Sequence, residues 1–335
     1  MKICVCGGGA LGHICSAVFS SVGKVHVNIY TQHPAKWGHT LKVKDILGKE
    51  YIGTIDVISD NPCDVICGCD MVFLCLPGFL IETTLRKIKP YLGINTIVGS
   101  IVSSTGFFFQ AHRILSSTSK LFGFQRTPFI ARVTEYGKSA SLLGYKSQVS
   151  IALENIDDKR EFRLLTERLF MTPTDLLNNY YEASLTNSNP ILHTGRLYAM
   201  WHKWDGIPFN RRSLFYKEWD VASSQTIIEM DKEFMSLLDK LPVDKRHIPS
   251  LLNYYDSVDA ETLTNKLSSI PAFQSILSPM KEVEGGWIPD FGSRYFTEDF
   301  PYGLRFIKDL TVETQIGTPT IDRVYDWGMN VINSL

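Results

Sequence analysis

The stretch KICVCGGGALGH, residues 2–13, limits what this chain can fold into more than any other. A strand-like run leads into Gly7, Gly9 and Gly12 at GxGxxG spacing, and a helical pattern starts at once. That context turns a weak motif into a specific one. The first glycine permits a tight turn, the second lets the backbone approach a pyrophosphate, and the third lets helix pack on strand. The free N–H groups at Ala10 and Leu11, where the helix begins, suit phosphate oxygens. The expectation is a doubly wound α/β Rossmann domain that binds a dinucleotide at Gly7, Gly9, Ala10, Leu11 and Gly12.

The rest of the first half fits that reading. KICVC (2–6), VHVNIYT (25–31), MVFLCLP (71–77) and NTIVGSI (95–101) read as buried strands of a parallel sheet. Ala10 to Val22 and Leu80 to Leu92 carry helical spacing, with Gly23 and Gly93 as C-terminal caps. Two or three short strands follow from residue 129, in IARVTEYGKSASLLGYKSQVSIAL, and KREFRLLTERLF (159–170) returns to a helix. TPTD (172–175) supplies turn and N-cap chemistry, so the expected domains are 1–172, the Rossmann domain, and 173–335, an all-α domain.

Composition narrows the function classes. A net charge of -1 among 335 residues gives no field for nucleic acid or an anionic membrane. No apolar run reaches the roughly 18 residues of a membrane span. The seven cysteines, Cys4, Cys6, Cys15, Cys63, Cys67, Cys69 and Cys75, are an odd set confined to the first quarter of the chain. They read as packed or free thiols in a reducing, cytoplasmic setting, without a disulfide framework or a metal site.

The cofactor's identity turns on the end of the second strand. About 20 residues past the glycines, an NAD-selective site places Asp or Glu against the ribose 2′-hydroxyl. Here the residues are Thr31, Gln32, His33, Pro34, Ala35 and Lys36. With no carboxylate to repel a 2′-phosphate, and with Thr31 and Lys36 to receive one, NADP is expected in preference to NAD.

Two stretches of the second half hold the remaining polar chemistry. NSNPILHTGRLYAMW (187–201) puts His193 in an apolar helical pattern, where it reads either as a hydrogen-bonded core residue or as a proton carrier. Asn189 before Pro190 reads as the N-cap of that helix, and Arg196 as a solvated surface residue. GGWIPDFGSRYFTEDFPYGL (285–304) sets Arg294, Glu298 and Asp299 among rings, prolines and glycines, as in a loop held on a scaffold.

Taken together, GGGALG, NSNPILHTGRLY, LFYKEW (214–219), SLLNYYDS (250–257), RYFTEDFPYGL and GTPTIDRVYDW resemble the opine dehydrogenases, the octopine/nopaline dehydrogenase family. The resemblance implies an NAD(P)-dependent oxidoreductase acting on CH–NH donors, which reductively condenses an amino acid with a 2-oxo acid. By the same resemblance His193 and Asp299 are the catalytic pair, and Arg294 and Asn189 bind substrate. The chemistry agrees: imine formation needs a group that exchanges protons near neutrality, and a guanidinium holds a carboxylate bidentately. A helical domain closing over the crevice is the expected motion, and a homodimer is compatible with the sequence. Arg126 and Thr127, in FGFQRTPFIAR (122–132), stay without a role. A ketopantoate-type or other 2-oxo-acid reductase shares the layout, although such enzymes rely on a lysine in the helical domain. A non-enzymatic dinucleotide sensor is the third reading.

Overall fold

Strand β1 (Lys2–Cys6) alternates Ile3 and Val5 with Cys4 and Cys6, and all four are fully buried. Both faces of a sheet are therefore covered from its first strand, which is the condition under which parallel sheets occur. The computed structural model describes residues 1–334, which form two compact units that divide between Ser184 and Leu185.

In the first unit β1 is joined by β2 (His26–Tyr30), β3 (Thr40–Asp45), β4 (Glu50–Thr54), β5 (Val57–Ser59), β6 (Met71–Leu74), β7 (Ile97–Ser100) and β8 (Lys120–Phe124). Strands β9 (Phe129–Glu135), β10 (Ser139–Tyr145), β11 (Val149–Glu154) and β12 (Thr174–Leu176) follow. Eight strands make one sheet in the order β12-β11-β8-β7-β6-β1-β2-β5. It is parallel from β8 through β5, but β11 runs antiparallel to β8, so the expected all-parallel sheet is corrected at this edge. The remaining strands form a second sheet, β4-β3-β10-β9.

Helix α1 (Ala10–Ser21) lies between the two sheets, with Ile14, Ala17, Val18 and Phe19 fully buried. Gly53 on β4 packs so closely on α1 that an added Cβ would stand 2.5 Å from the Cα of Ala17. The opposite face of the large sheet is covered by α2 (Pro62–Ile66), α3 (Gly78–Ile88) and α4 (Phe107–Ile114), and Cys4, Cys6, Val72 and Leu74 point into that layer. Burial pushes the Cys4 thiol well above its usual range, as expected for a thiol used as a small hydrophobe.

Three details differ from the sequence reading. Gly23 and Gly93 are not left-handed caps: the positive φ after α1 belongs to Lys24, and the Gly93 N–H instead donates to the Thr96 hydroxyl at 3.1 Å. The first unit extends beyond residue 172, because β12 pairs with β11 and α6 (Tyr180–Ser184) packs on the same sheet. TPTD is thus the entry to an edge strand, and the division falls between Ser184 and Leu185.

The second unit contains α7 (Thr194–Trp201), α8 (Val221–Leu238), α9 (Leu251–Tyr254), α10 (Ala260–Ser269), α11 (Arg294–Thr297), α12 (Arg305–Glu313) and α13 (Pro319–Asn333). It is not purely α-helical: β13 (Met280–Val283) and β14 (Gly286–Pro289) form a hairpin that turns at Gly285, φ +89°. Gly195 allows α7 to close on α8, where an added Cβ would lie 2.6 Å from Ile227. Among the described residues no helix is long and apolar enough to cross a membrane.

Phe170 ends the helix α5 (Lys159–Phe170) fully buried, its ring 4.7 to 5.9 Å from those of Phe19, Phe73, Phe124 and Phe129. Phe170→Ala opens a cavity where α1, α5 and both sheets meet. It is expected to cost about 3–5 kcal/mol, read as a lower denaturant midpoint with little change in slope.

Candidate active site

The glycine loop has the geometry a dinucleotide requires. Gly7 sits at φ +122°, where an L side chain is strained, and a Cβ there would press 2.5 Å from the Cys75 carbonyl oxygen. A Cβ on Gly12 would overlap the carbonyl oxygen of Gly7, so the helix lies directly on the loop. Gly9, the N-cap of α1, faces open space and offers no capping side chain. The first intrahelical bond is donated by the His13 N–H to Gly9 O, which leaves the N–H groups of Ala10, Leu11 and Gly12 for an anion. The residues present therefore fit a pyrophosphate.

Beside this loop lies a cavity of about 170 Å³, lined by Thr31, Gln32 and His33 after β2, Lys87 on α3 and Tyr136 between β9 and β10. Its walls contain no carboxylate. Thr31 lies in its wall, whereas Lys36 lies outside, exposed in a short turn at Pro34–Lys36; the lysine of the cavity wall is Lys87. Sequence reasoning missed Lys87 because α3 reaches the site only through the fold. Arg126 and Thr127 follow the carboxyl end of β8, the edge at which such sheets bind ligands.

In the second unit two wide helical turns carry the polar pair. Over residues 188–193 the Leu192 N–H donates to the Asn187 carbonyl, five residues back. Over 300–304 the Leu304 N–H donates to the Asp299 carbonyl at 2.8 Å, the same i−5 pattern. Each turn contains a proline, Pro190 or Pro301, which lacks the N–H that a regular helix would use. Such single wide turns are frequent at functional sites. The two turns touch: a Cβ on Gly303 would lie 3.1 Å from Pro190 Cγ.

This packing brings His193, which ends the first turn, against Asp299, which begins the second. His193 Nδ1 and Asp299 Oδ2 are 2.8 Å apart, with side chains only 14% and 15% exposed. With a carboxylate on Nδ1, the neutral ring carries its proton there and leaves a lone pair on Nε2. Tyr216, in the LFYKEW stretch, brings its hydroxyl to within 2.9 Å of Nε2. Burial, with Tyr295, Tyr255 and Asp299 nearby, raises the Tyr216 pKa, so it stays a phenol and donates to that lone pair. Its ring stacks with those of Phe273, at 4.4 Å, and Trp219, at 5.7 Å. Tyr216 was not among the residues singled out from sequence; an aromatic in an apolar run gives no sign of what its hydroxyl meets.

Arg294 heads α11 and is 80% exposed. Glu298 takes its Nε at 2.6 Å and one Nη2 proton at 3.1 Å, an engagement that raises the guanidinium pKa further. The Nη1 side of the fork has no partner among the described residues. Asn189 is exposed inside the first wide turn and is not its N-cap; that position is held by Asn187. The Asn187 amide is buried and donates to Asp231 Oδ1 at 2.7 Å and to the Pro249 carbonyl at 2.9 Å. Arg196 is not a solvated surface residue: it is 2% exposed and bonded to Asp220, Ser223 and the Glu218 carbonyl.

Residues 176–332 match the family described as NAD/NADP octopine/nopaline dehydrogenase, alpha-helical domain. The match spans nearly all of the helical unit. Over its whole length the chain is 26% identical to octopine dehydrogenase of Mizuhopecten yessoensis, covering 91% of that protein. An octopine dehydrogenase structure with NADH and L-arginine superposes with a TM-score of 0.88 at 26% identity, covering 99% of this chain and 90% of that one. A ketopantoate reductase from Ralstonia eutropha shares the fold at a TM-score of 0.67 and 12% identity, over 100% of this chain and 99% of its own. The opine dehydrogenase likeness read from the motifs is therefore present across the chain, and the reductase is the more distant relative.

Tyr216→Phe removes the donor to Nε2 and leaves a half-buried lone pair unsatisfied. The variant is expected to lose about 1–3 kcal/mol of stability, measured by denaturant unfolding of the cofactor-free protein.

Proposed function

We propose that this protein is an opine dehydrogenase that condenses the amino group of an amino acid with a 2-oxo acid and reduces the resulting imine, an oxidoreductase of the CH–NH class. The observation that carries the reading is the His193–Asp299 pair, 2.8 Å apart in a unit that matches the octopine/nopaline dehydrogenase family. The glycine loop of the first unit fits the nicotinamide dinucleotide that such a reaction needs, and the free thiols of all seven cysteines suit a reducing, cytoplasmic setting.

Each residue has a defined task. Arg294, with its Nη1 edge open, holds a substrate carboxylate, while Glu298 keeps the guanidinium from swinging away. Asn189, exposed in the same wide turn as His193, offers an amide to the same substrates. Attack of the amine on the 2-oxo carbon gives a carbinolamine, and loss of its hydroxyl as water requires a proton. Protonated His193 supplies that proton through Tyr216, whose hydroxyl occupies Nε2: the hydroxyl gives its own proton to the departing hydroxyl and takes the Nε2 proton in its place, and Asp299 stabilises the charged ring through Nδ1 until then. The Tyr216 hydroxyl both donates and accepts, so it partners Nε2 in either protonation state. The dinucleotide, when bound, supplies hydride to the imine carbon. In the reverse direction the Tyr216 oxygen takes a proton from the attacking water as its own proton moves to Nε2 of neutral His193.

The deciding experiment follows NADPH and NADH oxidation with pyruvate or another 2-oxo acid, alone and together with each common amino acid. Oxidation that needs both substrates is expected; oxidation with the 2-oxo acid alone would make the protein a simple reductase, and none with any pair would leave a dinucleotide-binding module. His193→Ala and Asp299→Asn should each lower turnover by at least about a hundredfold, with cofactor Kd unchanged. Near-normal turnover in His193→Ala would sink the mechanism.

The cavity wall without a carboxylate, with Lys87 and His33 beside Thr31, supports NADP as the preferred cofactor. A higher kcat/KM for NADPH than for NADH is expected, and a large preference for NADH would refute the assignment.

A further inference from the structure

His13, which directly follows the glycine motif, is 1% exposed and both of its ring nitrogens are used. Nδ1 donates to the Gly9 carbonyl oxygen at 2.9 Å, and Nε2 accepts the Gly137 N–H at 2.7 Å. The histidine thus ties the phosphate-binding turn to the β9–β10 connection of the second sheet. That connection is pinned from the other side by the Gly38 N–H, which donates to Gly137 O at 2.9 Å. Gly137, at φ +75°, has no room for a side chain, because a Cβ would overlap the Lys36 carbonyl oxygen.

The residue before it, Tyr136, is held by rings. Its centroid lies 5.4 Å from that of His13 and 5.8 Å from that of Trp37, and His13 and Trp37 are themselves 4.2 Å apart. This three-ring cluster projects the Tyr136 hydroxyl over the glycine loop, so close that a Cβ on Gly8 would overlap it. That same Cβ position is 3.3 Å from Thr31 Oγ1. Two hydroxyls, one from the end of β2 and one from the second sheet, therefore converge on Gly8. Tyr136 lines the cofactor cavity, and its hydroxyl has no hydrogen-bond partner among the described residues.

The end of β2 is where dinucleotide sites read the 2′ position of the adenosine ribose. We propose that Tyr136 is a cofactor-binding residue whose hydroxyl, together with Thr31, receives the 2′ substituent of that ribose, with His13 as the residue that positions it. This rests on the dinucleotide-binding reading above. It assigns part of cofactor recognition to the second sheet and not to the Pro34–Lys36 turn.

The test is equilibrium binding of NADPH and NADH to wild type and Tyr136→Phe, followed by quenching of intrinsic tryptophan fluorescence; Trp37 lies in the cluster. Tyr136 is 36% exposed, so the phenylalanine ring replaces it without disturbing the core, and the unfolding midpoint of the cofactor-free protein should not move. A hydrogen bond to a phosphate is stronger than one to a hydroxyl. The variant should therefore bind NADPH about ten- to a hundredfold more weakly and NADH about two- to tenfold more weakly. Unchanged Kd values, or tighter binding because the ring had been blocking the site, would overturn the assignment. Failure of the wild type to bind either dinucleotide would instead overturn the reading on which it rests.

Discussion

The hydrogen bond between His193 Nδ1 and Asp299 Oδ2 joins residues 106 positions apart, and much of the second unit serves to hold it. Both partners stand at the ends of helical turns one residue wider than normal, and those turns meet at Pro190 and Gly303. Behind the second turn Phe300 is fully buried against α13, where Gly328 leaves space for its ring; a Cβ there would overlap it. Behind the first, Asn187 anchors the chain to Asp231 on α8. A side-chain pair placed to a few tenths of an ångström needs this kind of support, since acid–base chemistry is sensitive to small displacements.

The buried charged groups of this unit are bonded, although Arg196 Nε and Ser293 Oγ have no partner among the described residues. Asp231 has its pKa raised by burial, yet its two oxygens accept from the Leu251 N–H and the Asn187 amide. Arg196, one turn past His193, has its pKa lowered by burial but gives its terminal nitrogens to Asp220, Ser223 and a carbonyl. Removing either partner would leave an uncompensated buried group, so these contacts fix the helices that carry His193 in one arrangement.

The first unit has a comparable economy around its glycine loop. Gly7 and Gly12 are required by contacts with Cys75 and with each other, whereas Gly9 is required by nothing in the protein itself. Its open side is the face a pyrophosphate would approach. Covering α1 with a second sheet also gives the loop a neighbour, the β9–β10 turn, that a minimal nucleotide-binding fold lacks.

Much of this was legible in the sequence because it is local or periodic. The strand, glycine loop and helix at residues 2–21 are set by steric rules acting over a few bonds, and the alternation in KICVC already requires two covered faces. His193, Asp299 and Arg294 were visible as polar residues in apolar or ring-rich stretches, read through a family resemblance. Short strands such as TLKVKD (40–45) escaped because six alternating residues gain their stability only from the partner strands beside them. The role of Asn189 as a cap and the solvation of Arg196 were misjudged, and the position of Lys36 outside the cavity wall was not foreseen, because burial and cavity walls depend on what packs from elsewhere. The sequence by itself determined a nucleotide-binding loop, a two-part chain and a set of chemically able residues. Only the tertiary structure decided that His193 faces Asp299 on one nitrogen and Tyr216 on the other, since hydrogen bonds between distant segments follow from packing, not from spacing along the chain.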